Sequence, residues 1–549
     1  MEEEGYFRGI VHQSSRAQLM SAITTTKPAM SNTWVEPAAS LEPSIVKCSA
    51  LDNLTASVYP SPTQFFPLKP GTDPRQLYED CKQGLSRCIF EHPHLSGVIR
   101  KDETGRNAIE IREAPHAGTN FWYQDHRNDP DVPSYSELRD NGWPFGDGEN
   151  DGLSKLRPKD FPYVEDGDPI IAPQFNVIKG GIVLTMSIAH AIGDLVQFMD
   201  FLRSWSQNTN AVATARVKGQ PMPPLPQQIS AHLMDRSLLS PDVQIEEDLD
   251  KLATRAASLP HLDMIDPRDP EQVVEKLSTI FTKSRLTNDD LVRFTEDELR
   301  TLSSSVWTFS QSSMKSLQQM IREVLPEGTK VSATDCLTAF AWSRFFTAKY
   351  APGLSGPEPL PENSKIVFAG NIRRRLTPPL PHNYMPAAVD LFPVTLKTND
   401  FISPDPKALA HAALAIRNSN NDWSEEVFRE MLEIAHSHPT SPGLVPKGPI
   451  DALVTDHTRA SAAVLASWGP ELGVCEAFRE PYLGRVPPHG EITLLPRWAD
   501  GSVDVMFAGE AVVMERLRCD RLMTQMASCQ FVMGRSSFQA NQDWYMSKL

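Results

Sequence analysis

One histidine of this chain stands where proton chemistry is easily mounted. The stretch Gly180-Gly181-Ile182-Val183-Leu184-Thr185-Met186-Ser187-Ile188-Ala189-His190-Ala191-Ile192-Gly193-Asp194 ends a short apolar run on an imidazole, with a carboxylate four residues later. An imidazole titrates near neutral pH, so a positioned histidine can take a proton from one group and return it to another. Spacing alone is a weak signal. Fourteen histidines in so acidic a chain would generate about one His-x-x-x-Asp by chance, and His190 with Asp194 is the only one. The context adds weight, because the hydrophobic period changes at His190 from that of a strand to that of a helix, a corner where function is often carried. On residues alone, His190 is either a general base or a hydrogen-bonded structural histidine.

Other chemical signatures are missing. There is no Gly-x-Ser-x-Gly elbow, Walker A loop, Gly-x-Gly-x-x-Gly fingerprint or His-Glu-x-x-His, which weakens hydrolase, NTPase, dehydrogenase and zincin readings together. His92 and His94 flank Pro93 and read as a turn after a helix rather than a metal site. His436 and His438, in a polar and proline-rich region, are expected to face solvent. The triple Arg373-Arg374-Arg375 suits either an anion or an internal ion pair.

The elements that must hold the His190 corner follow from periodicity. Ile182, Leu184, Met186, Ile188 and His190 share one strand parity, and Val183, Thr185, Ser187 and Ala189 the other. Ile192, Leu195, Val196, Met199 and Leu202 then form one helical face, expected to end near Trp205-Ser206-Gln207-Asn208, with Asp194 in the first turn where a carboxylate suits the helix dipole. Helices are expected over 74–90, 312–325, 332–344 (capped by Ser332 or Thr334) and 511–528. Strands are expected over 366–375, 491–496 and 503–508, the last two joined at Asp500-Gly501. Residues 1 to about 40 read as a polar arm. The proline-rich run Lys218 to Pro226 and the charged, weakly periodic residues to about 300 read as a long connection. The expected units are therefore 1–215, a crossover 216–300, and 301–549.

Composition narrows the class. At 549 residues the chain exceeds one hydrophobic core, and its 40% hydrophobic content can fill two. A formal charge of -16 argues against a nucleic-acid partner. Seven cysteines without a Cys-x-x-Cys pair predict reduced thiols in a cytoplasmic protein, not a disulfide frame or zinc site. Met1-Glu2-Glu3-Glu4-Gly5-Tyr6 lacks a basic region followed by an apolar one, and no run approaches the ~20 apolar residues of a membrane span, so no membrane association is expected.

At His190-Ala191-Ile192-Gly193-Asp194 the chain resembles the BAHD acyltransferases, particularly their fungal trichothecene-acetyltransferase-like branch. Further landmarks fall in family order. Glu91-His92-Pro93-His94-Leu95-Ser96-Gly97 resembles the Tyr-Pro-x-Leu-Ala-Gly turn, and Gly180-Gly181 introduces the motif strand. Val331 to Trp342 is similar to the helix opening the second half, and Asn371-Ile372-Arg373-Arg374-Arg375 to Tyr384 follows it. Ser467-Trp468-Gly469 resembles the Asp-Phe-Gly-Trp-Gly region, and Ile492 to Arg497 comes after it. The departures are Leu195 for the usual Gly, Ser467 for the usual Asp, and Tyr384-Met385-Pro386-Ala387 for the usual Tyr-x-Gly-Asn.

The resemblance implies an α/β fold of two chloramphenicol-acetyltransferase-like domains, each a mixed sheet flanked by helices, with the active-site channel between them. It implies His190 as general base in a ternary complex of acyl-CoA, with acetyl-CoA the expected donor, and a small hydroxylated acceptor. The acceptor would be a terpenoid, polyketide or alkaloid. No metal or permanently bound cofactor is implied, and a monomer is expected. Asp194 would pair with Arg373 or Arg375 as an architectural link, and Ser467, Trp468 and Gly469 would be structural. The residues that contact CoA carry no sequence signature. The rival readings are an N-acyl or condensation-type member, against which Ala189 replaces the first His of His-His-x-x-x-Asp, and a non-catalytic scaffold.

Overall fold

The computed structural model describes residues 31–532, apart from 104, 146–151, 159–163, 244–245, 247, 266–275, 277–278, 404, 438–442 and 481–488. Most of the expected N-terminal arm, and His438, lie outside the described residues. In chain order the strands are β1 (Ser31–Val35), β2 (Ser44–Lys47), β3 (Thr63–Pro67), β4 (Val98–Lys101), β5 (Asn107–Ile111), β6 (Thr119–Asp125), β7 (Ile171–Ile178), β8 (Gly181–Ile188), β9 (Leu262–Ile265), β10 (Leu302–Phe309), β11 (Asn363–Asn371), β12 (Val389–Lys397), β13 (Gly443–Pro446), β14 (Ala452–Asp456), β15 (Ala477–Arg479), β16 (Glu491–Leu494), β17 (Val503–Glu510) and β18 (Ser528–Val532).

Two mixed sheets carry the fold. The first has six strands in the order β1-β6-β7-β8-β3-β15, and the second seven in the order β12-β11-β14-β16-β17-β10-β18. Each holds parallel pairs, β6 with β7 in the first and β11 with β14 and β14 with β16 in the second, among antiparallel neighbours. Strand β8 alternates only in chemistry, since every residue from Gly181 to Ile188 is buried. One face meets a core containing Phe66, Tyr78, Phe175 and Trp205, and the other supplies Val183 to a smaller cluster with Phe65 and Leu138. The second core is built around Trp307, Trp342, Phe345 and Phe507.

The halves interlock. β15, from late in the chain, pairs with β3 of the first sheet, with Ala477 opposite Phe65 and Arg479 opposite Thr63. Residues 216–300 are also more than a connection: they hold the helix Leu249–Ala257 and β9, which pairs with β13.

Several elements depart from their expected bounds. The helix after His190 runs Leu195–Val217, past its expected end at Asn208. Its polar residues are buried rather than terminating: Asn208 donates to Glu91 Oε2 at 2.9 Å and accepts from Arg87 Nε at 3.2 Å. Thr209 approaches Gly84 so closely that a Cβ there would lie 2.1 Å from Thr209 Oγ1. The helix Ala333–Tyr350 is capped by Ser332 through a reciprocal capping box with Asp335, leaving Thr334 no capping role. The amphipathic run from 511 divides into Ala511–Cys519 and Arg521–Met526, because Asp520 takes the Met523 N–H at 2.9 Å and starts a new helix. β11 stops at Asn371, so Arg373 to Arg375 sit in the turn beyond it and do not share a strand face. His436 is half-buried at the end of the helix Glu425–Ser437, and burial holds its pKa down.

Candidate active site

β8 delivers His190 into a single 3-10 turn, His190–Ile192, and Asp194 then caps the helix Leu195–Val217. Asp194 is therefore the N-cap and not a first-turn residue: its Oδ1 accepts from Val196 N at 3.0 Å. Gly193 between them has extended backbone, φ 174°, and its size is what matters. A Cβ there would lie 1.7 Å from Gln197 Oε1, and Gln197 is fixed in turn by a 2.8 Å contact between its Nε2 and His94 Nε2. His94 thus serves the turn from behind, in the 3-10 turn that follows the helix Pro74–Glu91.

The His190 ring is partly accessible, while its Nδ1 is buried with no hydrogen-bond partner among the described residues. It packs edge-on against Phe198, with ring centroids 5.1 Å apart. Burial disfavours the charged ring and holds the pKa below the usual 6.5. Its own backbone carbonyl, although not placed to accept from Nδ1, opposes this, as do Asp194 and Glu480, while His457 adds to it. The lowered pKa favours the neutral ring, the form a base must have.

Asp194 faces elsewhere. Arg373 reaches it with two hydrogen bonds, Nη1 to Oδ2 and Nη2 to Oδ1, both 2.9 Å, and Ala388 N donates to Oδ2 at 2.9 Å. Arg373 also donates to the Tyr384 and Pro386 carbonyls at 2.7 and 2.8 Å. This pair is buried, so its charges depend on that full set of hydrogen bonds. Arg375 does not approach Asp194; its Nη2 donates to Asn420 Oδ1 at 2.7 Å.

Of Ser467, Trp468 and Gly469, Trp468 lies in the first core, Gly469 is buried and Ser467 is exposed. Trp468 packs edge-on against Trp205 at 5.1 Å, and Gly469, at φ +123°, sits where a Cβ would be 2.8 Å from Ala213 Cβ. The segment joins the late chain to the helix Leu195–Val217.

Residues without a sequence signal complete the site. His457 follows β14 and its Nδ1 lies 2.6 Å from Glu480 Oε2. Burial opposes charge on His457, but Glu480, together with Asp456 and Glu491, outweighs it and raises the pKa. Glu491 nearby is raised by burial and by Glu480. Thr55 donates to the His190 carbonyl at 2.8 Å and Arg236 Nη2 to that of Ile192 at 2.9 Å. Among the described residues no group of three or more His, Cys, Asp or Glu could hold a metal, and no helix is long and apolar enough to cross a membrane. Among the described residues no disulfide joins any of the seven cysteines.

The sequence profile of the Transferase family matches residues 25–468. The chain belongs to the BAHD acyltransferase family. Among curated relatives, this BAHD acyltransferase is 24% identical over 474 residues to acyltransferase clz6 of Cochliobolus lunatus, covering 84% of this chain and 91% of that protein. It is 22% identical to the eremophilane O-acetyltransferase prx11 of Penicillium rubens, covering 87% and 98%. Among solved structures, TRI101 of F. graminearum complexed with coenzyme A and T-2 mycotoxin shares the fold at a TM-score of 0.65 and 18% identity, over 89% of this chain and 100% of that one.

Proposed function

We propose that this BAHD acyltransferase moves an acetyl group from acetyl-CoA to a hydroxyl of a secondary metabolite, with His190 as general base. The observation that carries the reading is the placement of His190: partly accessible at the end of β8, while Asp194 of the same motif is bonded to Arg373 and, among the described residues, no carboxylate bonds the imidazole. The family assignment supports acyl transfer, and a relative named as an eremophilane O-acetyltransferase supports O-acetylation; a terpenoid, polyketide or alkaloid acceptor is part of the proposal. A monomer in the cytoplasm is part of the same proposal.

In this scheme the acceptor hydroxyl hydrogen-bonds to His190 Nε2, the ring nitrogen other than buried Nδ1. As the hydroxyl oxygen attacks the thioester carbonyl, its proton passes to Nε2 and the carbonyl electron pair moves onto oxygen. Collapse of the tetrahedral oxyanion expels CoA thiolate, which takes the proton back from His190. No acyl-enzyme forms, so both substrates are bound together. Asp194 keeps its charge on Arg373 throughout and moves no proton, unlike the carboxylate of a serine-hydrolase triad.

The test is purified protein with acetyl-CoA and a panel of hydroxylated sesquiterpenoids, polyketides and alkaloids, read by free-thiol release and the mass of the ester. Acceptor-dependent thiol release that His190→Ala abolishes is expected. Turnover that survives His190→Ala would remove the base.

A further inference from the structure

We infer that Arg236, in the crossover between the two sheets, is a positioning residue for His190 that clamps the catalytic turn at the Ile192 carbonyl, in addition to the hold of Arg373 on Asp194. The inference rests on the reading of His190 as the base. Arg236 is buried in a 3-10 turn, Arg236–Leu239. Its Nε donates to Asp52 Oδ2 at 2.8 Å and its Nη2 to the Ile192 carbonyl, the last carbonyl of the His190 turn, at 2.9 Å. Asp52 is itself fully enclosed, and Ser49 N and Oγ both donate to its Oδ2 at 2.9 Å.

Asp52 and Asp194 make a matched arrangement. Asp52 Oδ1 accepts from Ala387 N and Asp194 Oδ2 from Ala388 N, each at 2.9 Å, so two carboxylates from the first half grip consecutive amides of the second. Each carboxylate has its own arginine, Arg236 for Asp52 and Arg373 for Asp194. Just before the clamp the crossover is fastened to both halves of the chain: Ile229 N donates to the Glu91 carbonyl and Met385 N to the Leu233 carbonyl, both at 2.9 Å.

The turn bearing His190 therefore has side-chain holds on the His190 carbonyl (Thr55), the Ile192 carbonyl (Arg236) and the Asp194 carboxylate (Arg373). Only the last belongs to the sequence motif. A buried arginine bonded at once to a carboxylate and a carbonyl needs its planar fork, and a lysine at the same place can satisfy the carboxylate alone. Releasing the Ile192 carbonyl lets the turn relax and admits water to the imidazole, while acyl-CoA binding is left intact.

Arg236→Lys tests this, together with the neutral pair Asp52→Asn/Arg236→Met, which leaves no unpaired buried charge. His190 is observed by NMR of histidines labelled at Cε1, assigned with His190→Gln. Its own carbonyl, Asp194, Glu480 and His457 are the groups whose charge or dipole acts on the ring, and none is altered in either variant. The expected result is a folded protein whose His190 titration midpoint rises by about half a pH unit toward the solvent value. With acetyl-CoA and an acceptor from the panel, kcat falls about tenfold while KM for acetyl-CoA stays within about twofold. The titration needs no acyl donor, so it separates failure of this inference from failure of acyl transfer. A folded variant with wild-type midpoint and wild-type kcat overturns it. So does loss of the His190 signal together with those of all other histidines, which makes Arg236 structural only.

Discussion

His190 and Asp194, four residues apart in one motif, have opposite surroundings. Every bond available to Asp194 is taken: two by Arg373, one by Val196 N and one by Ala388 N. The His190 ring has a buried Nδ1 with no partner and a partly accessible edge. A carboxylate so saturated can hold two halves of a chain together but has nothing left to orient an imidazole. A ring so little bonded contributes little to stability and keeps its lone pair for chemistry. Within one motif, then, one end serves the fold and the other the reaction.

Substitution at the two ends should separate rate from stability. His190→Ala is expected to lower kcat about 10³-fold. Its melting temperature should stay within about 3 °C of wild type, because few bonds are lost. Thiol release and thermal melting measure the two, and a large drop in melting temperature would erase the contrast. Asp194→Asn is expected to cost ~3 kcal/mol in denaturant unfolding, because a buried Arg373 is left without its counter-charge. Its activity should fall through displacement of the turn, and an active variant of unchanged stability would break the comparison from the other end.

Arg375 sharpens the Asp194 side. It is next but one to Arg373 and equally basic, yet it bonds Asn420 and its cation lies 5.0 Å over the Phe392 ring. Arg375→Ala is expected to cost under ~1 kcal/mol, with kcat unchanged, since no charged partner is abandoned. A loss comparable to that of Asp194→Asn would mean that the two arginines act as one unit.

The sequence pattern reveals the His190 corner because it is local: a strand period, a helix period and a change of period at one residue. The capped helix Ala333–Tyr350 follows from an equally local signal, whereas the two-sheet fold is what the resemblance to the BAHD acyltransferases implies. What the pattern does not reveal is long-range. Arg236 meets Asp52 across 184 positions, and nothing in the charged stretch around Arg236 distinguishes it from solvated neighbours. His457 and Glu480 meet only once β15 has crossed into the first sheet. The end of the helix Leu195–Val217 is masked for a related reason, since Asn208 and Thr209 look like terminators until Glu91, Arg87 and Gly84 are seen against them. The strand expected through Arg375 ends early because a proline-rich turn begins, and only that turn aims Arg373 and Arg375 in different directions.

The smallest effect concerns the charges around the reactive end. Because burial lowers the His190 pKa, the base form persists below the usual 6.5, and kcat/KM should fall with acid only at a midpoint beneath that value. His457, whose pKa is raised chiefly by Glu480 against burial, contributes to the lowering, whereas Asp194 and Glu480 oppose it. His457→Gln removes the charge that His457 can carry and leaves Asp194 and Glu480 unopposed, which favours the protonated His190. The acid limb of kcat/KM should then move to higher pH, by a few tenths of a unit, while the plateau above it is unchanged. Movement to lower pH would mean that Glu480 takes up a proton as His457 is lost and that its charge, rather than that of His457, governs the ring.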